Sequence, residues 1–445
     1  MFETVRNAFK IKELRKKIFY TFVALVIVRI GCLIPVPGMN SSYITEWFES
    51  QSSLDFINQL TGGSLSSMSI FALNITPYIT ASIIIQLMTI AIPRLEELHK
   101  DGEEGRKKLA EYTRYVTIVL SVMESAAMAI GFGNQGYLTD GVSFSSIAVI
   151  VVSFTAGSAF LMWLGEQITE KGVGNGISII LLYNIVSRLP EDMANLYEKF
   201  IKGANTTVNS LLAAVVILAV LIGMVVFIII LSDGERRINV QYSKKTQGRK
   251  LVGGQSSHIP LKVNTAGVIP VIFAGSIFSM PIVLASFAGV QPASGAGASF
   301  GQKILKVLNQ NAWCNFSSFG EFKYTLGLVV YIALLIFFAY FYTSITFNPQ
   351  EIAMNMKKQG GFIPGIRPGK PTTDYLIKML NNIIFIGAVG LSFVAVVPIF
   401  FSGAFGADVS FGGTSMIIIV GVVLETLKQI ESQMLVRHYR GFISE

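Results

Sequence analysis

The chain alternates between long apolar runs and short polar ones. Ten apolar stretches lie near 18–37, 70–92, 114–131, 147–168, 176–189, 210–231, 265–288, 325–347, 376–401 and 414–433. A bilayer core of about 30 Å needs roughly 20 apolar residues of helix. The fifth stretch is short and the second is impure, but all ten approach that length. Backbone groups in lipid must be satisfied within the segment, so the pattern predicts ten membrane-spanning helices.

Composition agrees: 52% of the 445 residues are hydrophobic and 14% are charged, and the mean hydropathy is +0.58. The basic start and the apolar run from Ile18 to Val28 resemble a secretory signal. No small-x-small cleavage site follows, and Arg29 spoils a lipoprotein reading of Gly31-Cys32. A first membrane helix is the expectation. Two cysteines, Cys32 and Cys314, are no disulfide framework.

Charge orients the chain. The amino end is taken as cytoplasmic and the sides alternate at each span. Of the 35 Lys and Arg, the outer segments then hold only Arg188, Lys199, Lys202, Lys303, Lys306 and Lys323, and Arg29 lies within the first stretch. All the rest fall on the inner side. This asymmetry predicts both termini in the cytoplasm. The spans divide five and five around 190–209, and an odd number per half makes equivalent halves an inverted pair. The expected divisions are 1–190 and 191–445.

Candidate chemistry is sparse. Arg29, Glu124 and Glu425 are the clearest ionisable residues within spans, and Arg29 with Glu124 reads as a structural pair or as snorkelling. His99, His258 and His438 form no HExxH motif, and GIRPGK at 365–370 lacks the spacing of a phosphate loop. Neither an enzyme nor a metal or small-molecule cofactor is indicated. Two basic cytoplasmic segments remain, 233–264 with ERRINVQYSKKTQGRK and 345–375 with NMKKQGGFIPGIRPGKP. Alternation of Ile238, Val240 and Tyr242 suggests a short strand pair. Such loops either enforce topology or bind acidic partners. An inverted-repeat secondary transporter is the rival reading, and it would need a polar midplane site.

LMWLGEQITEKGVGNGISII at 161–180, HIPLKVNTAGVIP at 258–270, FNPQE at 347–351, FIPGIRPG at 362–369 and FGGTS at 411–415 resemble the bacterial SecY family, and the likeness runs from RIGCLIPVPG at 29–38 to the tenth span. The resemblance implies an all-α integral membrane protein, with ten helices in two inverted halves around a central pore. It implies a passive channel that passes secretory polypeptides across the plasma membrane and releases membrane segments sideways into lipid. The implied partners are SecE, SecG, the SecA ATPase or the ribosome, signal sequences and nascent polypeptides.

The resemblance also implies residue roles. Ile75 and Ile79 on the second span, Ile177 and Leu181 on the fifth, Ile272 on the seventh and Ile418 on the tenth match the family's pore ring. Residues 54–69, with Gly62, Gly63, Ser64 and Leu65, match its plug, a short helix below the ring. The lateral gate falls among the second, third, seventh and eighth spans. Arg236, Arg237, Lys244, Lys245, Arg249, Lys250 and Arg367 fall in the loops that dock SecA or the ribosome. The family commonly places Gly before the first ring isoleucine and Met after it. Here Asn74 and Thr76 stand there, and a polar Asn beside the constriction is expected to alter plug packing. Pro77 is expected to kink its helix.

Overall fold

The structure, a computed structural model, describes residues 2–40, 44, 58, 60–139, 141–202, 207–242, 245–247, 250–252, 256–287, 290, 299–314, 322–405 and 413–441. Each of the ten apolar stretches falls on a helix. In the first part of the chain, α1 (Phe2–Lys10) leads into α2 (Lys12–Cys32). After it come α3 (Thr76–Ala91), α4 (Pro93–Lys100), α5 (Gly102–Asn134), α6 (Phe144–Lys171) and α7 (Gly176–Leu196). In the second part, α8 (Thr207–Asp233), α9 (Ile269–Phe287), α10 (Phe300–Leu308), α11 (Leu326–Thr346), α12 (Pro349–Lys358), α13 (Lys370–Phe405) and α14 (Gly413–Gly441) follow. Among the described residues, five helices can cross a membrane alone by length and composition, or six if α3 and α4, bent by 103°, are one broken span.

The expectation of an all-α chain needs correction. Strand β1 (Glu235–Tyr242) pairs antiparallel with β4 (Ser256–Lys262) and, at its end, with β5 (Gly361–Phe362). A short hairpin joins β2 (Lys245–Gln247) to β3 (Lys250–Val252). The alternation of Ile238 and Val240 had indicated the strand. Both are buried, while Arg237, Asn239 and Gln241 are exposed, as a period of two requires.

Some helices turn small and polar residues inward and large apolar ones outward, as packing in a membrane allows. On α5, Leu109, Thr113, Thr117, Ser121, Ser125 and Met128 lie on one buried face. Thr113 and Thr117 donate to the carbonyls four residues back, at 2.9 and 2.7 Å. Ser125 meets Thr155 of α6 at 3.3 Å, and Arg114 of α5 pairs with Glu166 of α6 at 2.8 Å. On α8, by contrast, Leu211, Val215, Leu218, Ile222, Val226 and Ile230 are exposed. That face suits lipid.

The second apolar stretch starts as turns rather than helix. Residues 61–75 form a run of turns, and α3 begins only at Thr76. Pro77 sits in the first helical turn. Its missing N–H would lack an intrahelical partner there anyway, so it starts the helix instead of kinking it. Of the two readings of Arg29 and Glu124, a pair is not seen among the described residues: Arg29 is exposed, and Glu124 lies half-buried on α5.

Candidate channel site

Four helices converge where the sequence places the ring. Ile75, at the start of α3, and Ile79 on its first turns are buried, as are Leu181 of α7 and Ile418 of α14. Ile177 of α7 and Ile272 of α9 are half-buried and pack against the same hydrophobic cluster. Ile83, one turn further along α3, is buried in this cluster too. A single apolar knot thus joins residues more than 300 positions apart in the chain.

Above the knot lies a cavity of about 340 Å³, and Leu181, Ile272 and Ile418 contribute to its wall. The rest of the lining mixes polar residues, among them Asn175, Ser178, Asn264, Thr265, Glu425 and Lys428, with apolar ones such as Val268, Ile269 and Ile417. Asn175 accepts from the backbone N–H groups of Ile177 and Ser178 at 3.1 and 3.3 Å. It thereby caps α7 and fixes where Ile177 sits. Lys428 of α14 pairs with Asp233 at the end of α8, at 2.6 Å.

The segment 61–75 packs against the knot. Ile70 N–H donates to the carbonyl of Ile34 at 2.9 Å, and Val36 N–H to that of Met68 at 2.9 Å, which ties the segment to the chain after α2. Ser64 Oγ lies 2.8 Å from Thr61 O and 2.9 Å from Phe71 O, sharing its one hydrogen. Gly62 and Gly63 take φ of +66° and +81°, values that favour glycine. A Cβ on Gly62 would press on Asn184 of α7 at 3.1 Å. Leu65 and Ser64 are buried. Of the expected plug, residues 54–57 and 59 lie outside the described residues, and 61–69 are turns, not a helix.

Asn74 bridges this segment and α3. Its φ is +52°, a conformation that Asn tolerates better than most residues. Its side-chain oxygen accepts from Ile75 N–H at 2.8 Å, and its amide donates to Thr61 O at 3.3 Å. A left-handed position explains why Gly or Asn suits it. Asn184 was not singled out from the sequence, although it is a lone amide in an apolar stretch. It is buried and its Nδ2 has no partner among the described residues.

The basic segments form one unit. Ile238, Val240 and Leu261 of the ribbon share a small core with Ala353, Met356 and Ile363 of the second segment and with Leu376 of α13. Arg236, Arg237 and Arg367 are exposed around it, and Arg237 also pairs with Glu235 at 2.6 Å. Lys245 and Lys250 belong to the β2–β3 hairpin. Lys244 and Arg249 lie outside the described residues.

Membrane-length apolar helices packed around an aliphatic cluster and a partly polar cavity define a helical membrane protein. The SecY family model matches residues 69–427, and the chain belongs to that family. It is 43% identical to the protein translocase subunit SecY of Bacillus subtilis (strain 168) over 100% of both chains. It is 40% identical to that of Thermotoga maritima, over 100% of this chain and 98% of the other. The fold matches a solved protein-conducting channel with a TM-score of 0.62 at 18% identity, over 94% of this chain and 92% of that one. It also matches Sec61 in the canine ribosome–channel complex, with a TM-score of 0.61 at 17% identity over the same shares.

Proposed function

We propose that this chain is the pore-forming subunit of a protein-conducting channel. The observation that carries the reading is that Ile75, Ile79, Ile177, Leu181, Ile272 and Ile418 meet in one apolar cluster, and that three of them, Leu181, Ile272 and Ile418, line a cavity beside it. A pore for polypeptides must accept every side chain yet leak no ions. Flexible aliphatic groups offer an ion no binding site, and a narrow apolar constriction dewets. Residues 54–69, of which 58 and 60–69 are described, act as the plug beside it. The transporter reading loses its support, because the relatives are translocase subunits.

In this reading, α2, α3, α5, α6 and α7 cross the membrane as one half. Helices α8, α9, α11, α13 and α14 form the inverted second half. The chain sits in the bacterial plasma membrane with both termini cytoplasmic, which the charge asymmetry supports. SecE and SecG complete the complex. The ribbon and the 345–375 segment dock SecA or the ribosome through Arg236, Arg237, Lys244, Lys245, Arg249, Lys250 and Arg367. The chain itself does no bond chemistry. A signal sequence gains by leaving water for lipid between the halves. The partner shifts the closed–open balance only as far as it binds the open state better.

The test places a photoreactive residue at Ile79 and, as control, at Ile92, which is 41% exposed at the α3–α4 bend. A stalled secretory chain should crosslink strongly at 79 and weakly at 92. Translocation without any adduct at 79 would reject the ring assignment.

A further inference from the structure

Asn184 of α7 is 1% exposed, and its amide Nδ2 has no hydrogen-bond partner among the described residues. It lies one helical turn past Leu181 and two past Ile177, so the three share a face of α7. Gly62 covers it. With φ of +66°, Gly62 brings its backbone so close to α7 that a Cβ there would lie 3.1 Å from Asn184 Cα, Asn184 Cβ and Ser187 Oγ. Leu60, nearby in the same segment, is buried in one apolar cluster with Leu181 and Ile185.

The acceptors on either side of Gly62 are already engaged. Thr61 O is approached by Ser64 N–H at 3.3 Å, Ser64 Oγ at 2.8 Å and Asn74 Nδ2 at 3.3 Å. Asn58 O accepts from Gly63 N–H at 2.9 Å and from Thr61 Oγ1 at 3.1 Å, and Asn58 Oδ1 accepts from Ser66 N–H at 3.2 Å. The segment thus closes its hydrogen bonds on itself and on Asn74, and seats on α7 over an amide that it does not satisfy. A buried donor left without a partner keeps its full desolvation cost. Lifting the segment off α7 exposes that amide to water and removes the cost. We infer that Asn184 is a specificity-determining residue: its unpartnered amide weakens the seat of the plug segment and lowers the apolarity that a signal sequence needs to unseat it. The inference rests on the channel and plug reading. Asn74 and Asn184 then act with opposite sign, one tying the segment to α3 and the other loosening it from α7.

The test uses membranes whose only channel of this family is the full chain, as wild type, Asn184→Leu or Asn184→Ala. Leu keeps the branch point at Cγ and carries no polar group. Each membrane receives secretory chains with a strong, Leu-rich signal or a weak, Ala-rich one. The strong signal should support equal transport in all three. Transport from the weak signal should fall about fivefold or more in Asn184→Leu, and about twofold in Asn184→Ala, where the gap left behind offsets part of the gain. Weak-signal transport at or above the wild-type level in either variant, with the strong signal intact, would overturn the inference and leave the channel standing. If Asn184→Leu also fails with the strong signal, it has misfolded and Asn184→Ala decides alone. If the strong signal fails in wild type too, the channel reading itself falls and this inference with it.

Discussion

The side-chain amide of Asn74 donates to the carbonyl oxygen of Thr61 at 3.3 Å, across a loop of turns, while its own oxygen holds the first N–H of α3. One residue thus fixes the start of the helix that carries Ile79 and the segment packed beneath it. Asn74→Gly keeps the left-handed backbone but removes both bonds. A hydrogen bond of this kind is worth about 1 kcal/mol net, so the resting ion conductance of reconstituted bilayers should rise several-fold. Unchanged conductance would remove the latch. Asn74→Ala should be worse, since a Cβ in the left-handed region costs a further ~1–2 kcal/mol.

Ile418 is 1% exposed and closes the knot from α14. Ile418→Ala should destabilise the chain by about 2–5 kcal/mol and raise the leak of a small anion from proteoliposomes. Half-buried Ile177 faces more open space, so Ile177→Ala should cost less. Equal thermal stability of the two variants would contradict the packing described.

Gly361 joins the two basic segments. A Cβ there would meet Met356 Cγ and Tyr242 Cε1, each at 2.9 Å. Gly361→Val should cost about 1–3 kcal/mol through overpacking and loosen the pairing of Gln241 with Phe362. Faster hydrogen exchange across 238–242 would register it. Gly223→Ala is the control, because nothing lies within 4 Å of its added Cβ, and exchange there should stay as in the wild type.

Arg236 and Arg237 are exposed on β1, and the Arg237–Glu235 pair is at the surface. Replacing both arginines by Ala should change thermal stability by under about 1 kcal/mol. Binding of an acidic partner such as ribosomal RNA should weaken and become less salt-dependent. Unaltered affinity and salt slope would leave these charges with topology alone.

The helices were legible because a membrane demands length and apolarity together, and both are written along the chain. The strand was legible in the alternation of Ile238 and Val240. The true start of α3 was not. Phe71, Ala72 and Leu73 are as apolar as the helix that follows, yet hydrogen bonds from Ser64 and to Ile34 hold them in turns. Nor could local pattern reveal that Tyr242 pairs with Gly361, a contact across more than a hundred residues. The assignment of six residues to a ring rests on resemblance, since an isoleucine stripe at helical spacing also describes ordinary packing. Glu124 was visible as a charge in an apolar run. The cavity it lines required three helices in place.

The ribbon is fastened at its root. Val263 N–H donates to Gly234 O at 2.8 Å where the two strands leave and re-enter the membrane body. The carbonyl of Val263 also lies against Gly387 of α13, with no room for a Cβ between them. Its far end is free of that clamp, and α9, bearing Ile272, follows within a few residues. A push at the tip therefore acts on a lever whose fulcrum is the Gly234–Val263 pair. The short arm of that lever is the helix whose Ile272 packs against the apolar cluster.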